Sequence, residues 1–270
     1  MDLPLTPSLP LNVTDQMERR VAVPFPPRRI VSLVPSQTEL LFDLGLGEKI
    51  VGVTKFCIYP AEARAQSTVI GGTKNFDFEK IAALKPDLII GNKEENYRDG
   101  IEKLAAKFPV WLSDIGNLPE ALDMIRRVGF IVGAKDTATA LVAEIEASFA
   151  ALTTPLASVA AAESVAYFIW RKPYMAAATG TFIDDMLRRA GFTNAFAGLR
   201  RYPEISAGQL AEVAPQRIFL SSEPYPFAAK HVAEFQALCP AAKIEIVDGE
   251  LFSWYGSRLL QSAAYFSQLR

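Results

Sequence analysis

Histidine is almost missing from this chain of 270 residues, where His231 stands alone. A metal centre built on several imidazoles is therefore impossible, and a Ser-His-Asp triad would have to use this one ring. Cysteine is nearly as scarce. Cys57 and Cys239 are too few for a disulfide framework and fall in different halves, so both are expected as free, half-buried thiols. Positive charge is not in excess: 28 Lys and Arg stand against 30 Asp and Glu, a formal net charge of -2, which argues against nucleic acid as a partner. No apolar run approaches the roughly 20 residues that a bilayer-spanning helix needs. The chain also lacks a G-x-S-x-G elbow, a P-loop and an H-E-x-x-H motif. Gly45-Leu46-Gly47 has no third glycine of a dinucleotide fingerprint and follows a predicted helix, which glycine commonly terminates. Residues Met1 to Pro10 carry neither a basic n-region nor an apolar h-region, so a literal reading expects a cytoplasmic protein.

The composition that remains is 50% hydrophobic and 21% charged, which is globular with ample material for a core. The most informative pattern is an internal echo. Ile81-Ala82-Ala83-Leu84-Lys85-Pro86-Asp87-Leu88-Ile89-Ile90-Gly91-Asn92 is answered by Leu210-Ala211-Glu212-Val213-Ala214-Pro215-Gln216-Arg217-Ile218-Phe219-Leu220-Ser221, each a helix end, a proline break and an apolar strand. Thr38 to Leu46 is likewise answered by Ile183 to Phe192. Two similarly built halves predict a seam between them, where small-molecule pockets preferentially form.

Residues 1–11 read as a flexible leader, because Pro4, Pro7 and Pro10 forbid a regular element. A small hairpin is predicted over Val13 to Val23. Strands and helices, among them strands over Ile50 to Val53 and Lys243 to Val247 and helices over Ser36 to Leu44, Asp77 to Leu84, Tyr97 to Lys107 and Phe182 to Ala190, then alternate through an N-terminal lobe, 12–118, and again through a C-terminal lobe, 156–270, which argues for mostly parallel sheets flanked by helices. The segment between, 119–155, reads as helical, with Gly133 as an interruption, Asp136 as a cap, and an Ala-, Leu- and Glu-rich stretch from Thr137 to Leu152 that would act as a stiff strut.

In an open parallel sheet, ligands bind beyond the carboxyl ends of the strands. The segments at those positions are rich in aromatic and cationic residues. Phe76, Tyr97, Trp170, Tyr174, Tyr225, Phe252 and Trp254 are the candidate stacking surfaces, and Lys74, Asn75, Asn92, Arg171 and Arg258 the candidate polar contacts. With no cluster of protein ligands, a metal is expected to arrive already coordinated by an organic partner. No catalytic residue, metal ligand or cofactor is assigned. The competing reading is a cytosolic enzyme or small-molecule sensor with Lys74, Glu94, Glu95 and Ser257 as its polar centre.

Arg29-Ile30-Val31-Ser32-Leu33-Val34-Pro35-Ser36-Gln37-Thr38-Glu39-Leu40-Leu41, Val51-Gly52-Val53-Thr54, Gly71-Gly72 and Ala83-Leu84-Lys85-Pro86-Asp87-Leu88-Ile89-Ile90 strongly resemble the helical-backbone (class III) substrate-binding proteins of ABC importers, whose members carry vitamin B12, haem and iron-siderophore complexes. The resemblance runs from about Asp15 to the C-terminus. It implies an α/β fold of two Rossmann-like lobes joined by a long α-helix, a shallow groove between the lobes, a monomer, and binding of a metal-chelate or tetrapyrrole-like small molecule without turnover. It also implies a place outside the inner membrane and delivery to an ABC permease and ATPase, with Glu94, Glu95, Glu204 and Glu223 as candidate docking residues. Asn92 stands where the B12-binding members carry a tryptophan.

Overall fold

The computed structural model describes residues 10–152 and 162–270. Residues 1–9 of the expected leader and 153–155 of the expected linking segment lie outside them. Leu11, the last residue assigned to the leader, instead opens a strand. The chain forms two compact units. One takes residues up to Ile115 with Glu120–Ala143 and Tyr255–Ser257; the other takes Gly116–Pro119, Glu144–Trp254 and Arg258–Arg270.

The first unit begins with an antiparallel hairpin, β1 (Leu11–Thr14) and β2 (Arg20–Val23). Its turn is organised by Asp15, a carboxylate 1% exposed. Asp15 accepts the backbone N–H groups of Met17, Arg19 and Leu112 and pairs with the Arg19 guanidinium at 2.6 Å. A buried charge is tolerated only when its lone pairs are met in this way.

The alternating region follows as β3 (Ile30–Ser32), α1 (Pro35–Asp43), β4 (Ile50–Val53), α2 (Glu62–Gln66), β5 (Thr68–Val69), β6 (Gly71–Gly72), β7 (Asn75–Phe76), α3 (Phe78–Ala83), β8 (Leu88–Asn92), α4 (Arg98–Ala105) and β9 (Val110–Ser113). The main sheet has the order β5-β4-β3-β8-β9, and every pairing in it is parallel. Ile30, Val31, Leu88 and Ile89 are fully buried, as strands covered on both faces must be. β6 and β7 form a separate two-stranded hairpin. α3 starts where Asp77 accepts the Lys80 N–H at 3.0 Å.

α5 (Leu118–Val132) ends at Gly133, whose φ of +79° is left-handed. α6 (Lys135–Leu152) follows directly, so Asp136 lies inside its first turn rather than capping it. There its negative charge still complements the helix dipole. The division between the units falls within α6, between Ala143 and Glu144. The expected linking segment is thus two helices, and all but the start of α5 belongs to the first unit.

The second unit contains β10 (Ser164–Trp170), β11 (Met175–Ala176), α7 (Phe182–Arg189), β12 (Thr193–Asn194), α8 (Ala207–Val213), β13 (Arg217–Ser221), α9 (Ala229–Leu238), β14 (Lys243–Val247), α10 (Gly249–Ser253) and α11 (Leu259–Leu269). Its sheet runs β11-β10-β13-β14 with β12 also on β10, and only β11 is antiparallel. α8 opens with a capping box between Ser206 and Gln209. The sequence echo is also an echo of conformation: Lys85 and Ala214, each just before its proline, both take left-handed φ, 46° and 43°. Among the described residues no helix is long and apolar enough to cross a membrane.

Breaking a buried ion pair from one side leaves a charge without its partner. Asp15→Ala is therefore expected to lower the unfolding free energy by about 3 kcal/mol, read as an earlier urea midpoint at unchanged slope. A loss below about 0.5 kcal/mol, the range of an ordinary surface change, would show that this carboxylate does not hold the hairpin.

Candidate functional site

In the first unit, residues 54–60 follow β4, 70–77 follow β5, and 93–97 follow β8. The first of these segments is anchored from beneath. Cys57 is fully buried, and its thiol sits 3.1 Å from Thr38 Oγ1 and 3.2 Å from Thr54 Oγ1. Burial pushes the thiol pKa up, so it packs as a neutral small group and not as a reactive thiolate. With Cys57 turned inward, Phe56, Ile58 and Tyr59 are left 50%, 41% and 40% exposed. Lys55 Nζ lies 4.9 Å from the Phe56 ring centre.

The β6–β7 hairpin needs Gly71, which has φ +105° and whose Cβ would collide with the Asn75 carbonyl oxygen. Lys74 Nζ, at its tip, donates to the Glu94 carbonyl at 2.6 Å, and Asn96 Nδ2 donates to the Thr73 carbonyl at 3.1 Å. The hairpin and the segment after β8 therefore hold each other. Asn92 completes this frame. Its Oδ1 accepts the N–H groups of Glu94 and Glu95 at 2.8 and 3.1 Å, and its Nδ2 donates to Ser113 Oγ at 2.9 Å and the Ser113 carbonyl at 3.3 Å.

In the second unit, the segment after β10 is Arg171 to Tyr174 and the segment after β13 is Ser222 to Ala228. Trp170 is 40% exposed and meets Tyr225 edge to face, with 5.6 Å between ring centres. Arg171 binds Glu234 Oε2 through Nε at 2.9 Å and Nη2 at 2.7 Å, while the Tyr174 hydroxyl donates to Glu234 Oε1. The guanidinium first, and the Tyr174 hydroxyl after it, hold the Glu234 carboxyl below the usual range. Burial first, and Glu234 second, push Tyr174 up to about 12.

Several candidates from the sequence take other roles. Phe252 is fully buried on α10, against Tyr167 at 5.1 Å and Phe266 at 4.6 Å between ring centres, so it is core and not a ligand wall. Phe76 is buried against Tyr97 at 5.0 Å. Asn92 is buried with both ends of its amide engaged, so it shapes its loop and has nothing left for a ligand. Trp254 is buried, with Nε1 donating to Glu223 at 2.8 Å and Arg258 over its ring at 4.7 Å. Arg258 itself pairs with Glu250 at 2.7 Å. Glu223 also accepts from Ser253 Oγ at 2.8 Å, an internal role that conflicts with a docking residue on an outer face. Glu204 is exposed, and Glu94 and Glu95 are partly buried. Ser257, from the competing enzyme reading, is buried. Lys74, Asn75, Tyr97, Trp170, Arg171, Tyr174 and Tyr225 keep at least partial exposure.

Ile58, Tyr59, Glu234 and His231 are not among the ligand-binding candidates that the sequence nominates, and neither is Phe56. Alternation of the inward Cys57 with outward Phe56 and Ile58 is the signal that could have found the first loop. Among the described residues, no group of three or more His, Cys, Asp or Glu is placed to hold a metal ion.

Burial raises the Glu223 carboxyl above its ordinary value near 4.5. Across that interval the folded chain holds a proton that the unfolded chain has released, so stability falls as pH rises through it. Glu223→Gln keeps an acceptor for Trp254 and Ser253 but does not titrate. The stability of the native protein relative to this variant is expected to drop as pH rises from about 4, measured by urea unfolding at a series of pH values. A flat difference would contradict the burial of this carboxyl.

Residues 30–243 match the family model described as periplasmic binding protein. A vitamin B12-binding protein of Vibrio cholerae is 31% identical over 205 residues, which are 74% of this chain and 73% of that protein. An uncharacterized ABC transporter substrate-binding lipoprotein of Bacillus subtilis is 28% identical over 220 residues, 79% of this chain and 69% of that protein. The crystal structure of the periplasmic vitamin B12 binding protein of Vibrio cholerae superposes with a TM-score of 0.78 at 26% identity, covering 91% of this chain and 97% of that one. A periplasmic heme-binding protein from Roseiflexus shares the fold with a TM-score of 0.78 at 24% identity, over 90% of this chain and 99% of that one. These likenesses carry the class III α/β architecture as well as the sequence, and the chain belongs to the periplasmic binding protein family.

Proposed function

We propose that this protein is the substrate-binding component of an ABC importer, and that it takes a metal chelate of the cobalamin, haem or siderophore kind and releases it without chemical change. The observation that carries this reading is the exposure of large rings at strand ends: Phe56 and Tyr59 after β4 in the first unit, and Trp170 at the end of β10 in the second. An exposed ring on a loop held by buried hydrogen bonds loses little entropy on stacking, which suits a wide, flat, partly apolar ligand. The charged groups beside the rings, Lys55, Lys74 and Arg171, suit carboxylate or amide oxygens on the rim of such a ligand. The names of the relatives, vitamin B12-binding and heme-binding, point the same way. Glu94, Glu95 and Glu204 are the acidic residues proposed to meet a permease; Glu223 is not one of them, because its carboxylate is bonded to Ser253 and Trp254.

Titration of the full chain with cyanocobalamin, haemin and a ferric hydroxamate, followed by tryptophan fluorescence, tests the reading. At least one is expected to bind with a dissociation constant below about 10 µM, and Trp170→Ala to weaken it about tenfold. Binding of none of the three at concentrations up to about 50 µM would overturn the metal-chelate proposal.

A further inference from the structure

His231 is the only histidine in the chain and is 3% exposed, yet its ring is not idle. Its Nδ1 lies 2.9 Å from the backbone nitrogen of Ala228, whose N–H can only donate, so Nδ1 is the acceptor. A neutral imidazole then carries its proton on Nε2. Nε2 lies 3.3 Å from the Tyr225 hydroxyl oxygen, so the ring donates there and the oxygen accepts. The Arg171 guanidinium, raised in pKa first by Glu234 and then by the Tyr225 hydroxyl, lies on the segment after β10. Glu234 holds Arg171 in place through two bonds to one carboxylate oxygen. The oxygen of Tyr225 thus accepts from the imidazole, and its own proton is directed away from that ring. No acceptor among the described residues takes that proton. Tyr225 is partly exposed and its ring packs edge to face on the exposed Trp170. Phe227 and Tyr225 close on the His231 ring, each with 5.5 Å between ring centres, so the imidazole cannot turn away.

We propose that the Tyr225 hydroxyl is a hydrogen-bond donor aimed at a carboxylate or amide oxygen on the rim of a ligand stacked on Trp170, and that His231 is the positioning residue that sets its direction. The inference rests on the ligand-binding reading above and adds to it a polarity: this corner of the second unit recognises an acceptor, not a donor. A ring pair placed only for stacking would need neither the buried imidazole nor its fixed tautomer.

The test uses the full chain with haemin, which offers carboxylates, and cyanocobalamin, which offers amide carbonyls. Tyr225→Phe keeps the ring and removes the proton; affinity is expected to fall about five- to tenfold for whichever probe binds the native protein. Asparagine can place its amide oxygen where Nδ1 stands, and glutamine can place its amide nitrogen where Nε2 stands. His231→Asn is therefore expected to keep the bond from Ala228 and to lose affinity as Tyr225→Phe does, while His231→Gln restores most of the binding. The double variant Tyr225→Phe/His231→Asn should bind no worse than Tyr225→Phe alone, because both changes remove one interaction. Melting temperatures of all variants are read alongside, so that a loss of fold is not taken for a loss of recognition. If native protein binds either probe and Tyr225→Phe binds it equally well, the donor role is overturned while the ligand-binding reading stands. Additive losses in the double variant, or no rescue by glutamine, overturn the positioning role of His231. If neither probe binds the native protein, the inference falls, while the ligand-binding reading is decided by the ferric hydroxamate.

Discussion

Parallel pairing is the constraint on which the rest of this structure depends. Four of the five strands in the second sheet and all five in the first run the same way, so each sheet collects the segments that leave its strands along a single edge. Strands covered on both faces have no room for exposed polar or aromatic side chains within their length. Groups able to meet a ligand are therefore pushed to the strand ends, and there the chain places Phe56, Tyr59, Lys74, Trp170, Arg171 and Tyr225.

A second rule governs those edges: buried polar groups hold the loops, and rings are left to face outward. Asn92 and Asn96 fix the segment after β8, and Cys57 with Thr38 and Thr54 fixes the one after β4. Glu234, Arg171 and His231 fix the Trp170 and Tyr225 corner. Asn92, Asn96, Cys57, Glu234 and His231 use their bonding capacity inside the protein, so the loops are held in place without a ligand present. Rigidity of that kind lowers the ordering cost of binding and makes affinity depend on a few exposed groups.

Much of the fold was legible because hydrophobic periodicity survives without tertiary information. The strands from Ile50 to Val53 and Lys243 to Val247 have the limits the sequence suggests, and the helices from Ser36, Asp77, Tyr97 and Phe182 begin within a residue of where it places them. The short elements were not legible: α2, the β6–β7 hairpin and α10 are too brief to show a period. α10 explains the largest error at the site, since Asp248 caps a helix where a loop was read, and that helix carries Phe252 into the core. Placing rings at strand ends could not separate those that line the edge from those that plug it from below, because both are aromatic and both follow a strand. Direction came only from neighbours: Cys57 beneath Phe56, Glu223 holding Trp254, Ser113 holding Asn92.

Hydrogen exchange of the full chain, with and without whichever metal chelate it binds, addresses the central claim most directly. The account predicts slowed exchange concentrated in residues 54–60, 71–77, 92–97, 170–174 and 222–228, the segments beyond the carboxyl ends of the strands, with little change at residues 85–87 and 214–216, which precede them. Protection centred on the latter segments, or on the β1–β2 hairpin, would contradict it.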